Sequence, residues 1–507
     1  MSIRNKITNV KIIKEKDLTE IRKNKKKIIL AHGTFDFFHY GHLRHLKKAK
    51  KKADILVVSL TADKFIKKGP GKPIYDQNKR AEIISSLDFV DHVVIVNSFS
   101  GIEVIKLLKP DYYSKGIEYK DKTKDFTNKI SVEEKALKKT KGRLFYTNEP
   151  VMSSSALINK FLQSENNLRN NFLNKFKKKN KFDKIYKKFQ LMKNKKILII
   201  GDVILDEYVF TQALAKSPKE ELISVKEDLR KIYLGGILAT AKHISNFVNK
   251  PTLLTVLGND VKNNNYIKKD LGKTCKLTVF EDNNRFNIIK TRYLDHSKKK
   301  LFQSQDVPFN DIDKKLENKI IKYLDKSLNK FDMVVVNDFG HGMLTEKIRR
   351  LIEKKSKKLA INVQSNSANL GFNFFNKYKK CNYLTMDEPE ARMAIKERFG
   401  NINLIKKKIL NEINAGTVAI TYGKNGTILF TNKNITSVPA LSTNVVDTLG
   451  AGDAFFAISS IYYSVDKNIN NVAFIGNVSG AIKIQYLGHE KHINSEIFFP
   501  YLKSLLS

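Results

Sequence analysis

A short apolar run, Ile28-Ile29-Leu30-Ala31, leads directly into Gly33-Thr34-Phe35-Asp36-Phe37-Phe38-His39-Tyr40-Gly41-His42. Beyond it, Leu43, Leu46, Ala49 and Ala53 recur at helical spacing. The run predicts a buried parallel strand and the spacing predicts the inner face of a helix, so the ten-residue string is a strand-to-helix turn. The alternation continues. Residues 54–60, 92–96, 111–114 and 143–146 read as further strands, with helical segments around 79–87, 101–108 and 130–139. Strands alternating with helices imply a parallel, Rossmann-like α/β sheet, and such sheets bind ligands at the carboxyl ends of their strands.

The turn stands at such an end. His39 and His42 lie where the helix begins, and a helix N-terminus offers free N–H groups and partial positive charge to a phosphate chain. Gly33 and Gly41 allow close backbone approach. Lys64, Lys67, Lys68 and Gly69 form a basic segment able to fold over a phosphate. Lys115 follows a strand directly, and Ser153-Ser154-Ser155 opens a helix over residues 156–162, where serines act both as N-caps and as anion contacts.

The full string resembles the signature of the nucleotidyltransferase superfamily that includes cytidylyltransferases and heptose-phosphate adenylyltransferases. Residues 28–161 are similar to the adenylyltransferase half of the bifunctional heptose-phosphate kinase/adenylyltransferase family, a family of lipopolysaccharide precursor synthesis. The similarity includes Lys-x-x-Lys-Lys-Gly at 64–69, Arg80 in Asn78-Lys79-Arg80-Ala81-Glu82, Lys-Gly-x-Glu-Tyr at 115–119, and a serine triplet where the family has Ser-Thr-Thr. The resemblance implies attack of a sugar phosphate on the α-phosphorus of a nucleoside triphosphate, with His39, His42 and Lys115 as donors and Mg²⁺ assisting. Gly33, Thr34, Phe35, Asp36, Gly41, Lys68, Arg80 and Ser153, Ser154 and Ser155 become nucleotide or phosphate contacts. ATP is the implied nucleotide, and CTP stays open.

Residues 164–196 lack glycine and proline. Leu168, Phe172 and Phe176, then Ile185 and Phe189, recur at four-residue spacing, which predicts a charged helical connector docking one apolar stripe. Another strand follows at 196–200, with further strand-like runs at 253–257, 333–337, 359–363 and 417–421. Asp206 is placed to hydrogen-bond sugar hydroxyls, and Gly235-Gly236 opens a helix. Gly450-Ala451-Gly452 opens an apolar helix, so successive N–H groups converge as an anion hole for a transferring phosphoryl group. Asp453 beside it is placed to take a proton from a sugar hydroxyl.

Asp447-Thr448-Leu449-Gly450-Ala451-Gly452-Asp453-Ala454-Phe455 resembles the second signature of the ribokinase-like (PfkB) sugar kinases. The resemblance makes Asp453 the base, Gly450, Ala451 and Gly452 the anion hole, and Asp206, Gly235 and Gly236 sugar contacts. Thr421-Tyr422-Gly423-Lys424-Asn425-Gly426 matches the nucleotide-side loop, marking Thr421, Gly423 and Gly426. Asp387 and Glu390 match an Asn-x-x-Glu motif that supports Mg²⁺ through phosphate. Gly201 to Tyr208, Ser217-Pro218 and Lys290-x-Arg292 are similar to the heptose kinases. Ala239 stands where that family has Asn, and Gln303, His341 and Gln364 stand where it has basic residues. Lost cations weaken binding of a sugar that already carries a phosphate, so the expectation is a functioning kinase whose substrate need not be heptose 7-phosphate, with heptose, giving ADP-heptose, as the leading identity. The familiar bifunctional family places its kinase first; here the transferase half comes first.

A chain of 507 residues exceeds one core, and the expected division is 1–163, a cytidylyltransferase-like domain, 164–195, the connector, and 196–507, a ribokinase-like α/β domain. The net charge of +42 is scattered in short lysine runs, so no specific nucleic-acid partner is expected. With no run of about 18 apolar residues, no membrane span is expected, and no secretory signal is expected from the first residues. Cys275 and Cys381 lack metal-ligand spacing, consistent with a cytoplasmic protein. The partners expected are small molecules, ATP or another nucleotide and sugar phosphates, and the ribokinase resemblance implies a homodimer. Three rivals remain open: a cytidylyltransferase for another small phosphate fused to a different sugar kinase, a kinase-like domain kept as a binding module, and a nucleic-acid-binding protein supported only by charge.

Overall fold

The computed structural model describes residues 11–23, 26–66, 73–98, 100–120, 129–148, 167–216, 219–221, 223–442 and 445–506. The chain forms two compact units, Met1–Leu173 with Ser495–Ser507, and Asn174–Asn494. The closing helix, Ser495–Leu506, therefore groups with the first unit, not with the 196–507 segment expected to contain it.

The first unit holds a six-stranded sheet in which every pairing is parallel. Its order is Ile12–Ile13, His92–Val96, Ile55–Thr61, Ile28–Gly33, Tyr112–Gly116, Arg143–Thr147. Four of these strands lie where apolar runs predicted them after Ile28–Gly33, since a sheet covered on both faces needs continuous apolar residues. One face buries Leu30, Val57 and Val94 with Val104, Ile105 and Leu108 of the helix Ile102–Leu108. The other buries Ile29, Val58 and Val93 with Leu46 and Ala49 of the helix Tyr40–Lys50. The strand order reverses between Ile28–Gly33 and Tyr112–Gly116, and the carboxyl ends at such a switch point are where sheets of this kind bind ligands.

The connector is two helices, Asn167–Lys179 and Phe182–Met192. Of its expected apolar stripe Phe176 is buried while Leu168 is 76% exposed, and Leu173, outside that stripe, is buried instead. A helix turns 100° per residue, so a face defined by its neighbours selects its own register. Ile185, Phe189 and Met192 are buried, and the Phe189 ring packs on Tyr462 and Phe247 at 5.3 and 5.5 Å.

The second unit is built on nine strands, ordered Lys276–Glu281, Thr252–Leu257, Ile197–Gly201, Met333–Asp338, Leu359–Val363, Lys380–Asp387, Asn414–Thr421, Thr427–Phe430, Ile435–Val438. The first seven are parallel and the last two antiparallel. Order reverses between Ile197–Gly201 and Met333–Asp338, and the carboxyl ends there are Gly201 and Asp338. A separate four-stranded sheet runs Lys300–Asp306, Ile288–Leu294, Val203–Lys216, Ile223–Gly235. Sequence patterning missed it, because its outer strands carry charges such as Lys226, Glu227, Arg230 and Lys300 on exposed faces instead of apolar runs. Cys275 and Cys381 are buried free thiols. Among the described residues no helix is long and apolar enough to cross a membrane.

Candidate active sites

In the first unit the strand Ile28–Gly33 ends at the turn, which is held under backbone constraint. Phe35 and Phe37 both adopt φ of 49°, a left-handed conformation unusual for bulky residues. Asp36 between them is 2% exposed and accepts N–H bonds from Phe37, Ile74 and Tyr75 at 2.9–3.1 Å. Phe35 is buried, with its ring 5.2 Å from that of His42. Strain at the turn is thus balanced by a buried ring and a saturated carboxylate.

His39 is the N-cap of the helix Tyr40–Lys50. Its Nδ1 accepts the N–H groups of Gly41 at 3.1 Å and His42 at 3.4 Å. The expectation of free N–H groups there is corrected for two of them: the His39 ring takes the N–H groups of Gly41 and His42. Capping also selects the tautomer, because an accepting Nδ1 leaves the proton on Nε2. The His42 ring stacks on His39 at 3.9 Å, so the two imidazoles form one unit.

Lys115 lies in the neighbouring strand Tyr112–Gly116, across the switch point. Its Nζ stands 2.9 Å from Glu133 Oε2 and 4.6 Å from the Tyr113 ring centroid. Glu133 is 2% exposed, and its Oε1 accepts the Gly101 N–H at 2.9 Å. Burial would raise its carboxyl, but Lys115, His32 and that N–H outweigh burial and hold it below the usual range. Lys115 is therefore held in place by Glu133. Glu133 was missed in the sequence, where it reads as an ordinary helix-surface acid in Lys129–Lys139.

Arg80 needs a different account from the phosphate contact expected. It is 1% exposed, and its guanidinium donates to the carbonyls of Tyr75, Thr34 and Thr61 and to Asp63 Oδ1, at 2.6–3.0 Å. It ties the turn, through the Thr34 carbonyl, to Thr61 and Asp63 and to Tyr75, and Asp36 ties the turn to Ile74 and Tyr75. Lys68, Ser153, Ser154 and Ser155, with Lys67, Gly69 and the helix expected over 156–162, lie outside the described residues.

In the second unit Asp453 occupies the first turn of the helix Ala451–Tyr463, which is apolar and buried along its length. Gly450 is its N-cap at φ 75°. A Cβ on Gly450 would lie 2.6 Å from His489 Cε1 and 3.2 Å from Lys483 Cε, so only glycine fits. The Ala451 N–H bonds the Thr448 carbonyl at 3.2 Å, which corrects its expected place in the anion hole. The N–H groups of Gly452 and Asp453 remain in the turn where a helix leaves donors without intrahelical partners.

Asp453 is 7% exposed. Its Oδ1 accepts Gln364 Nε2 at 2.6 Å and Asn337 Nδ2 at 3.4 Å. Burial pushes its carboxyl up to about 6; Asp206 adds to that, while the Gln364 bond, Lys290 and Lys483 oppose it. A carboxylate with that value is poised near neutrality to accept a proton.

Asp206 lies on the strand Val203–Lys216 and is 3% exposed. It pairs with Arg292, and His489 Nε2 stands 3.3 Å from its second oxygen. Burial would raise this carboxyl; His489, Arg292 and Lys290 outweigh it and hold it low. Gly235 and Gly236 pass beside it: a Cβ on Gly235 would overlap Asp206 Oδ2, and Gly236 takes φ 50°. The predicted sugar-side residues are thus brought together, joined by Lys290 and Arg292 from the adjacent strand Ile288–Leu294.

Thr421 ends the strand Asn414–Thr421 beside Asp387, its registered partner. Gly423 and Gly426 shape the following turn at φ 51° and 92°. Asp387 caps the helix Glu388–Ala394 in a reciprocal capping box with Glu390. Glu390 Oε1 also accepts the Ser365 N–H at 2.8 Å, beside Gln364. Burial, with the Asp387 charge, pushes the Glu390 carboxyl up to about 8. Among the described residues no three or more His, Cys, Asp or Glu side chains are grouped to hold a metal ion.

Comparison with known proteins follows the same division. The model of the pfkB family carbohydrate kinases matches residues 194–494, and the Cytidylyltransferase-like model matches residues 30–160. A Campylobacter jejuni (strain RM1221) protein named Bifunctional protein HldE is 41% identical over 133 residues, 26% of this chain and 28% of its own length. The protein of that name from Aliarcobacter butzleri is 26% identical over 319 residues, 61% of this chain and 64% of its own length. A solved structure of Arabidopsis thaliana ribokinase, complexed with ribose and ATP, covers 62% of this chain and 99% of that one at 15% identity and TM-score 0.48. The chain thus spans under two thirds of the length of these curated relatives. The matches put the cytidylyltransferase-like segment ahead of the kinase segment, and they do not bear out the expectation that this order is reversed relative to the relatives.

Proposed function

We propose that this chain, which belongs to the pfkB family of carbohydrate kinases, is a bifunctional enzyme of nucleotide-activated sugar synthesis. Its second unit would phosphorylate a sugar, and its first would join a sugar 1-phosphate to a nucleotide with release of pyrophosphate. The observation that carries the kinase half is Asp453: buried, near-neutral in affinity for a proton, and set in the first turn of a helix. Asp453 takes the proton of a sugar hydroxyl held by Asp206. The hydroxyl oxygen then bonds to the γ-phosphorus of ATP as the bond to the departing ADP oxygen breaks. The N–H groups of Gly452 and Asp453 face the charge that develops.

Magnesium fits Glu390 and Asp387 only as an ion held mainly by phosphate, given the absence of a three-residue metal group among the described residues. Bound there it would neutralise phosphate charge, and the raised carboxyl of Glu390 is the group its charge would relieve.

In the first unit the nucleophile is already an anion, so positioning and charge do the work. His39 and His42, as one stacked pair, and the fixed ammonium of Lys115 would bind the triphosphate on both sides of the switch point. ADP-heptose is the product we propose, in keeping with the name of the relatives, from a cytoplasmic enzyme. A specific feature favours a second reading of the sugar. Gln303, His341 and Gln364 replace expected cations, and Gln364 is engaged by Asp453. A kinase substrate other than heptose 7-phosphate is therefore the second reading. The test is ATP-dependent phosphorylation across a sugar panel, together with pyrophosphate release from ATP or CTP with sugar 1-phosphates. Saturable turnover of heptose 7-phosphate would overturn the substrate inference, and no turnover by either unit would overturn the enzyme reading.

A further inference from the structure

Lys483 ends the helix Ile469–Lys483 and is wholly buried. Its Nζ donates to the carbonyl of Gly488, in the loop that also carries His489. Its Cε lies where a side chain on Gly450 would meet it at 3.2 Å, so the ammonium stem braces that left-handed turn from behind. Sequence reading passed over it, although a lone lysine in Val478-Ser479-Gly480-Ala481-Ile482-Lys483-Ile484 is a conspicuous charge in an apolar helix.

The charges around it come from every packed segment. Asp447, Asp453, Asp206 and Glu490 attract its proton, while burial pushes its value down to about 8. The histidines nearby add no positive charge at neutral pH: burial lowers His243 well below its ordinary value, His489 to about 4 and His492 to about 3. Arg292 is paired with Asp206, and Lys300 with Asp447 at 2.7 Å. Lys290 and Lys483 are the two lysines whose charge lowers the Asp453 carboxyl. Lys290 does so from the separate sheet and Lys483 from behind the phosphoryl-binding turn.

We propose that Lys483 is a positioning residue for phosphoryl transfer, its buried stem packed against Gly450 and its ammonium tied to the Gly488 carbonyl, so that it holds the left-handed turn opening the helix that carries Asp453. This rests on the kinase reading of the second unit.

The test is the pH profile of kcat for the full-length chain and for Lys483→Met, with whichever sugar the unmodified chain turns over. In the unmodified chain kcat falls on the alkaline side with a midpoint near 8, as the ammonium is lost. In Lys483→Met that limb disappears. The acid limb moves upward, because removing a cation raises the Asp453 carboxyl, and kcat drops by about tenfold or more with the sugar KM little changed. A variant whose profile superimposes on the unmodified one overturns the proposal. Should Lys483→Met fail to fold, the unmodified profile decides: a flat alkaline side up to about pH 10 overturns the proposal and a limb near 8 sustains it. An unmodified chain with no phosphotransfer at any pH sinks the kinase reading and the proposal with it. Activity with unmoved limbs sinks the proposal alone.

Discussion

Gln364 Nε2 donates to Asp453 Oδ1 at 2.6 Å, across 89 residues of chain. The position read in sequence as a missing cation is, in the fold, a neutral donor on the proposed base. An amide steadies a carboxylate without lowering its proton affinity as far as a full positive charge would. This pairing is part of why burial leaves Asp453 near 6 and not higher.

Replacing Asp453 by Asn is expected to remove phosphotransfer by a factor of about 100 or more while leaving pyrophosphate release intact. The same change should stabilise the fold at pH 8. A carboxyl raised from 3.8 to about 6 by burial contributes its stability below the unfolded value and loses it as pH rises through 6. The neutral amide escapes that loss, a gain of at most about 3 kcal/mol. Urea unfolding of both proteins at pH 5 and pH 8 measures it; a gain equal at both pH values would contradict the assignment.

His39 has two separable tasks, cap and phosphate donor. His39→Ala should abolish pyrophosphate release and cost about 1 kcal/mol of stability, as loss of an N-cap does. His39→Asn should keep the cap, because its amide oxygen can accept the same N–H groups, yet still lose the activity. Recovery of pyrophosphate release in the Asn variant would show that capping is all His39 does.

Arg80 is a structural tie, so Arg80→Met should destabilise the first unit by about 3 kcal/mol, the scale for breaking a buried charged network. Thermal unfolding reads this directly. At a temperature where the variant is folded, its KM for the nucleotide should stay within about threefold of the original. A large KM increase with unchanged melting would restore the phosphate-contact reading.

Glu133→Gln should leave Lys115 in place but loosely held, lowering pyrophosphate release by up to about 100-fold through misplacement. The Glu133 carboxyl is held low, so its stability contribution is present above the unfolded value of 4.5 and is lost as pH falls through the folded one. The Gln variant should therefore show less acid-induced loss of stability below pH 4.5 than the original, by calorimetry from about pH 3 to pH 6. Equal acid sensitivity would argue that Glu133 is unpaired in solution.

What the amino-acid sequence determined alone is what depends on neighbours along the chain. Continuous apolar runs specified strands such as Ile28–Gly33 and Ile197–Gly201, because a strand covered on both faces admits little else. The glycines at 450 and 235 were legible because close approach and a left-handed turn exclude side chains. Asp453 was legible because it sits one turn from such a glycine. The tertiary structure decided which polar groups face one another. Arg80 reaches Thr34, 46 residues away, and becomes a tie. Lys115 finds Glu133 on another element, and Gln364 finds Asp453. The four-stranded sheet appeared only when folded, since its exposed faces carry charge. Hydrogen bonds and ion pairs between distant segments leave no periodic trace in a chain, because each partner alone reads as a solvated surface residue until burial removes the water that would otherwise satisfy it.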